Sequence, residues 1–152
     1  MIKAFLKSPA KVNLSLKVGK KINHKYHDIQ SVIFLINLHD EITIKKITEK
    51  KDIFKFTGKF KKNIKLKNNS VSKSMHVLRK KNIISNNSKY EIKVKKNIPV
   101  FSGLGGGSSN AATIIKYFYK KRKIINNDIN YFAKHLGSDF KLFFKNNKII
   151  QE

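Results

Sequence analysis

Residues 99–112 read Pro99-Val-Phe-Ser-Gly103-Leu-Gly105-Gly-Gly107-Ser-Ser109-Asn-Ala-Ala112, and the rest of the chain is read outward from them. The 152 residues include seven glycines, and Gly103, Gly105, Gly106 and Gly107 crowd into this one stretch. Before it, Tyr90-Glu-Ile-Lys-Val94 alternates polar and apolar residues with the period of a strand. After it, Ala111, Ala112, Ile114, Ile115, Phe118 and Tyr119 trace a helical stripe. Strand, glycine loop and helix in that order make an anion cradle, because glycine lets the backbone approach closely and successive N–H groups converge. A helix starting near Ser108 adds free N–H groups and the positive end of its dipole. Ser108 and Ser109 offer hydroxyls to a phosphate or to magnesium bound to one. The alternative is a flexible Gly/Ser linker that needs no ligand, but the amphipathic segments on both sides favour the cradle. No Lys-Ser or Lys-Thr follows the last glycine, and no acidic residue stands at a strand end about 20 positions on, so neither common nucleotide motif is matched.

Toward the amino terminus the strand pattern repeats. Val12–Val18 alternates, Val32–Ile36 is a continuous apolar run, Glu41–Ile47 alternates again, and Asp52–Phe56 follows. Around Ser70 the period lengthens: Val71, Met75 and Leu78 share a helical face, with Ser70 as the expected N-cap. Beyond the loop, a helix capped by Asp128 would bury Ile129, Phe132, Ala133 and Leu136 and end in a left-handed cap at Gly137. Phe140–Phe144 reads as a strand and Lys148–Ile150 as another. The strands and helices read as one α+β domain over residues 1–152.

The formal charge is +25, from 34 Lys and Arg against 9 Asp and Glu. Such a balance suggests a polyanion partner. Here only Arg79 and Arg122 are Arg, and the charge is spread along the chain, whereas nucleic-acid readers gather it on one face and use Arg for bidentate contacts. The surface therefore reads as solvated lysine, the product of an AT-rich coding sequence. There is no cysteine, which removes disulfides and thiolate metal sites and agrees with a reducing cytoplasm. The start, Met1-Ile-Lys-Ala-Phe-Leu-Lys-Ser-Pro9, has too short an apolar run for a signal peptide, and no stretch approaches a membrane span. His24, His39, His76 and His135 lack ligand spacing, and no metal site is expected from them.

Pro99-x-x-x-Gly-Leu-Gly-Gly-Gly-Ser-Ser-Asn-Ala-Ala112 resembles the phosphate loop of the GHMP kinases, the galacto-, homoserine, mevalonate and phosphomevalonate kinases. The added glycines make it most similar to the branch whose substrate is 4-diphosphocytidyl-2-C-methyl-D-erythritol, in non-mevalonate isoprenoid biosynthesis. Ser8-Pro-Ala-Lys-Val-Asn-Leu14, Tyr26-His27 and Leu136-Gly-Ser-Asp139 agree with that branch in order and spacing. The resemblance covers essentially the whole chain but about the first half of a family member, so it implies the amino-terminal, ATP-binding domain, an α+β fold with a mixed sheet backed by helices, without the second, carboxy-terminal one.

It further implies a kinase that phosphorylates the 2-hydroxyl of that substrate, with ATP held by Pro99, Val100, Phe101, Ser102, Gly103, Leu104, Gly105, Gly106, Gly107, Ser108 and Ser109. Magnesium would be carried with ATP. By the same resemblance Asp139 takes the hydroxyl proton, and Lys11 keeps that carboxylate ionised and stabilises developing charge. Asn13, two residues on and so on the same strand face, joins the substrate site. Tyr26 stacks on the cytosine and His27 bonds its edge. Without the resemblance, Asp139 is a capping or surface carboxylate, Lys11 one lysine among many, Asn13 a turn or edge residue, and Tyr26-His27 ordinary packing. Lys25 stands where the family has Gly, and Phe140-Lys141 replaces an aliphatic residue and Pro. The partner implied is the small-molecule substrate; the second domain's absence has three readings, an incomplete sequence, a separately encoded carboxy-terminal half that pairs with this chain, or a decaying gene. The rival readings are another GHMP kinase, an inactive kinase fragment, and a basic nucleic-acid-binding module.

Overall fold

The long alternating stretches of the first third pair with each other before anything else. β1 (Lys3–Asn23) and β2 (Tyr26–Ile47) form an antiparallel pair running from Lys3 opposite Lys45 to Asn23 opposite Tyr26. A computed structural model describes residues 3–23, 26–62, 64–120, 122–144 and 148–151. The segments Val32–Ile36 and Glu41–Ile47, expected as separate strands, are one strand. Its register slips where Pro9 faces His39 but Ala10 faces Ile36. Proline has no N–H to donate to the ladder, so an irregularity falls naturally there.

β3 (Ile53–Thr57) pairs parallel with β4 (Lys89–Lys95), and β4 pairs antiparallel with β2. The order is β1-β2-β4-β3, with β5 (Lys148–Gln151) also paired to β2, so the sheet is mixed as expected. Period two sorts its faces. Ile42 faces Val94 and Ile44 faces Ile92, all buried, while their neighbours Glu41, Lys45, Lys93 and Lys95 face away from that core.

The inward face is covered by α1 (Ser70–Lys80), α2 (Gly106–Phe118) and α3 (Asn126–Leu136). Val71, Met75 and Leu78 of α1 meet Ala111, Ala112, Ile114 and Ile115 of α2, and Phe132 of α3 closes the same core. Among the described residues, no helix is long and apolar enough to cross a membrane.

Several local expectations are corrected. Asn69, not Ser70, caps α1: its Oδ1 accepts from the amides of Val71 and Ser72 at 2.9 and 3.0 Å. Asn caps as well as Ser, and its amide also donates to the carbonyls of Lys65 and Leu66. α2 begins at Gly106 rather than Ser108. α3 begins at Asn126; Asp128 lies in its first turn and its carboxylate is bound by Lys81 at 2.8 Å. Gly137 ends α3 with φ 107° and ψ 158°, an extended positive-φ conformation rather than the left-handed helical one. Ser138–Phe144 is a 3-10 helix, not a strand. Phe140 and Phe143, three residues apart, superimpose on one side of such a helix and both enter the core, whereas a strand would point them to opposite faces.

Candidate active site

Two conditions make the loop after β4 an anion cradle: its backbone must turn through conformations that side chains disfavour, and the turn must lie against the protein. Phe101, Gly103 and Gly105 all have positive φ, at 60°, 75° and 69°. Gly105 is the N-cap of α2. A Cβ there would lie 3.0 Å from both Lys11 Cγ and Phe143 Cζ, so a side chain at this position would push those neighbours aside as well as strain φ. A Cβ at Gly106 would lie 3.0 Å from Ile98 Cγ2 and 3.3 Å from Lys96 Nζ. The loop is also tied to β1, where the Lys11 amide donates to the Leu104 carbonyl at 2.9 Å.

The N-terminus of α2 is left ready for a ligand. Gly105 supplies no capping side chain, and the first turn contains no acidic residue. The amides of the first turn have no intrahelical acceptor, and the dipole adds a partial positive charge. They border a cavity of about 550 Å³ lined by residues 99–108, by Asn68, Asn69 and Ser70 before and at the start of α1, and by Asp139. Phe56, Ile64, Pro99, Val100 and Leu104 contribute apolar parts of its lining. Among the described residues there is no group of three or more His, Asp or Glu able to hold a metal ion.

Asp139 stands in the first turn of the 3-10 helix and lines the same cavity. Its Oδ2 lies 3.7 Å from Lys11 Nζ, an ion pair longer than a hydrogen bond. Lys11 is nearly buried, and its ammonium donates to Asn13 Oδ1 at 2.7 Å. Asn13 in turn donates to Ser31 Oγ at 2.8 Å. The Lys11 stem thus adjoins the Gly105 turn, and its ammonium stands between the Asp139 carboxylate and the Asn13 side chain; of the three, Asp139 lines the cavity and Lys11 and Asn13 do not. Ser108 lines the cavity, but Ser109 does not: it is fully buried, and its hydroxyl accepts from Ser8 Oγ at 2.8 Å. Tyr26 and His27 lie in β2, paired with Asn23 and Lys21, and their side chains are outside the described residues.

Sequence reading missed the layer beneath the loop. Asp40 is fully buried; its Oδ1 accepts from the amides of Asn97 and Ile98 at 2.8 and 2.9 Å. Its Oδ2 accepts from Asn110 Nδ2 at 3.0 Å and pairs with the buried ammonium of Lys96. A signal for this existed. Asp40 shares strand parity with Ile42 and Ile44, and Lys96 with Ile92 and Val94, so opposite charges stand at inward positions.

The family description "GHMP kinases N terminal domain" matches residues 69–142, from the α1 cap through the loop to the 3-10 helix. The "4-diphosphocytidyl-2-C-methyl-D-erythritol kinase" of Pelagibacter ubique is 46% identical over 143 residues, covering 92% of this chain and 50% of that protein. That of Thermosipho melanesiensis is 38% identical over 140 residues, 92% of this chain and 48% of that one. The chain therefore spans about half the length of these relatives. Among solved structures, a 4-(cytidine 5'-diphospho)-2C-methyl-D-erythritol kinase superimposes with a TM-score of 0.74 at 23% identity, over 97% of this chain and 51% of that one. A homoserine kinase from Cytophaga hutchinsonii does so with a TM-score of 0.62 at 16% identity, over 88% and 40%. The shared fold, a family match that spans the loop, and relatives matched along nearly the whole sequence lead to one conclusion: the chain belongs to the GHMP kinase family, with the amino-terminal fold of that family.

Proposed function

We propose that residues 1–152 form the ATP-binding domain of a kinase that transfers the γ-phosphoryl group of ATP to the 2-hydroxyl of 4-diphosphocytidyl-2-C-methyl-D-erythritol, in the cytoplasm. The observation that carries this reading is the Asp139–Lys11 pair at 3.7 Å: the Lys11 stem packs against the Gly105 turn, and Asp139 lines the cavity that the loop borders.

The amides at the start of α2 bind the triphosphate, and the apolar part of the cavity lining receives the base. Magnesium arrives with the nucleotide and supplies charge neutralisation when bound. Asp139 accepts the proton as the hydroxyl oxygen bonds to the γ-phosphorus and the bond to the ADP oxygen breaks. The Lys11 ammonium pairs with Asp139 and stabilises the charge that develops on the phosphoryl oxygens, while Asn13 fixes the direction of that ammonium. Recognition of cytosine by Tyr26 and His27 rests on the sequence resemblance. The activity is assigned to this domain acting with a carboxy-terminal half that supplies the rest of the relatives' length, separately encoded or not.

The test has two stages. Magnesium-ATP should raise the thermal midpoint of the chain, because a ligand bound only to the folded state stabilises it. Asp139→Asn should keep that shift but lower phosphoryl transfer, followed by ADP release with the cytidine substrate, by a factor on the order of 10² to 10⁴. No shift with ATP removes the nucleotide site, and undiminished transfer in Asp139→Asn removes the base.

A further inference from the structure

The glycine loop has two ends, and one buried carboxylate holds both. The entering end is residues 96–98, whose Asn97 and Ile98 amides donate to Asp40 Oδ1 and whose Lys96 ammonium pairs with Oδ2. The leaving end is the second turn of α2, where Asn110 Nδ2 donates to the same Oδ2 at 3.0 Å. Asp40 lies on β2, outside the loop and fully shielded from solvent. We infer that Asp40 is a positioning residue for the phosphate loop: it sets the span between residues 97 and 110 and thereby the direction of the free amides at Gly106, Gly107 and Ser108.

Three features support a positioning role beyond ordinary packing. The carboxylate accepts from four donors on two segments that follow one another along the chain through the loop, so it fixes the two ends between which the loop must run. Lys96 Nζ would stand 3.3 Å from a Cβ at Gly106, so the ion pair forms the floor under the first residue of α2. Among the described residues Asn110 Oδ1 is buried with no partner, so Asn110 makes its bond here through its donor alone. An unsatisfied acceptor in the interior costs stability. Its retention beside Asp40 fits a contact that serves geometry.

The inference extends the reading of the loop as a triphosphate cradle, and its test separates the two. In Asp40→Asn the replacement keeps one acceptor for the two backbone amides but turns an NH₂ group toward Lys96 and Asn110, donor against donor. Amide hydrogen exchange should then quicken by roughly tenfold or more at Lys11 and Ser109, whose N–H groups bond Leu104 and Gly105. The amide of Met75 in α1 should keep its rate. ATP affinity, read by titration calorimetry, should fall by a similar factor.

Uniform quickening across α1 and α2 would make Asp40 a general stabiliser and overturn the inference, as would an unchanged rate at Lys11 and Ser109. Should Asp40→Asn not fold, Asn110→Ala removes one of the four donors at a helical position that alanine suits, and the same local pattern must appear in it. Localised quickening in a chain whose parent binds no ATP would leave the clamp standing and remove the nucleotide reading alone.

Discussion

Gly103 and Gly105 have the same backbone hand and differ in what surrounds them, so replacing each by alanine isolates the cost of close approach. Their φ values are 75° and 69°. Either alanine pays about 1–2 kcal/mol for a side chain in the left-handed region. Either also gains about 0.4–1 kcal/mol by restricting the unfolded chain, and this cancels in the comparison. At Gly103 a Cβ meets nothing within 4 Å, so the account ends there. At Gly105 the new methyl meets Lys11 Cγ and Phe143 Cζ at 3.0 Å each. Phe143 is 3% exposed and packed in the core, so it has little room to retreat, and overpacking of this kind adds about 1–3 kcal/mol.

Gly105→Ala should therefore be less stable than Gly103→Ala by about 2 kcal/mol, read from urea midpoints at an unchanged slope. For a chain of this size that gap corresponds to roughly 4–8 °C in thermal midpoint. The push on the Lys11 stem should also lengthen the ion pair to Asp139, so Gly105→Ala should lose phosphoryl transfer. Equal losses of stability in the two variants, or a larger loss in Gly103→Ala, would refute the claim that Lys11 and Phe143 press on the turn.

Gly106→Val should abolish ATP binding in calorimetry, because its Cβ displaces Ile98 and the Lys96 ammonium at 3.0 and 3.3 Å; the crowding comes from the protein behind the loop. Stability should fall with rising pH from about 10 to about 12: burial first, then the charge of Asp128 and the bond to it, push Tyr119 up to about 12, so the unfolded chain ionises before the folded one. Tyr119→Phe should flatten that part of the curve in denaturation experiments run across alkaline pH. Arg79 bonds both oxygens of Asp52 at 2.6 and 3.0 Å and the Ser88 carbonyl at 2.9 Å. Arg79→Ala should cost roughly 3 kcal/mol in urea denaturation by stranding a largely buried carboxylate, and adding Asp52→Ala should cost less than the sum of the two.

How much was legible before any coordinates follows from what each signal depends on. The alternation at Tyr90–Val94, the glycine cluster and the apolar stripe of Ala111–Tyr119 are local patterns, and local backbone preference is enough to order them as strand, loop and helix. Motif spacing carried the family and its amino-terminal fold for a similar reason, since a loop that touches phosphate through its backbone tolerates few residue types. Short apolar runs were another matter. Phe140–Phe144 satisfies period two and period three alike, and only the core waiting for Phe140 and Phe143 selected the 3-10 helix. Likewise the merging of two expected strands into β2 was settled by a partner strand of matching length, with its slip at Pro9.

The partners of the site residues lie far off along the chain: Lys11 meets Asp139, Ser8 meets Ser109, and Asp40 gathers residues 96, 97, 98 and 110. A hydrogen bond depends on separations of a few tenths of an ångström, and composition and periodicity carry no information on that scale for residues a hundred positions apart. Residue types and their order were written in the chain; which of them touch was settled when the sheet and helices closed around one core.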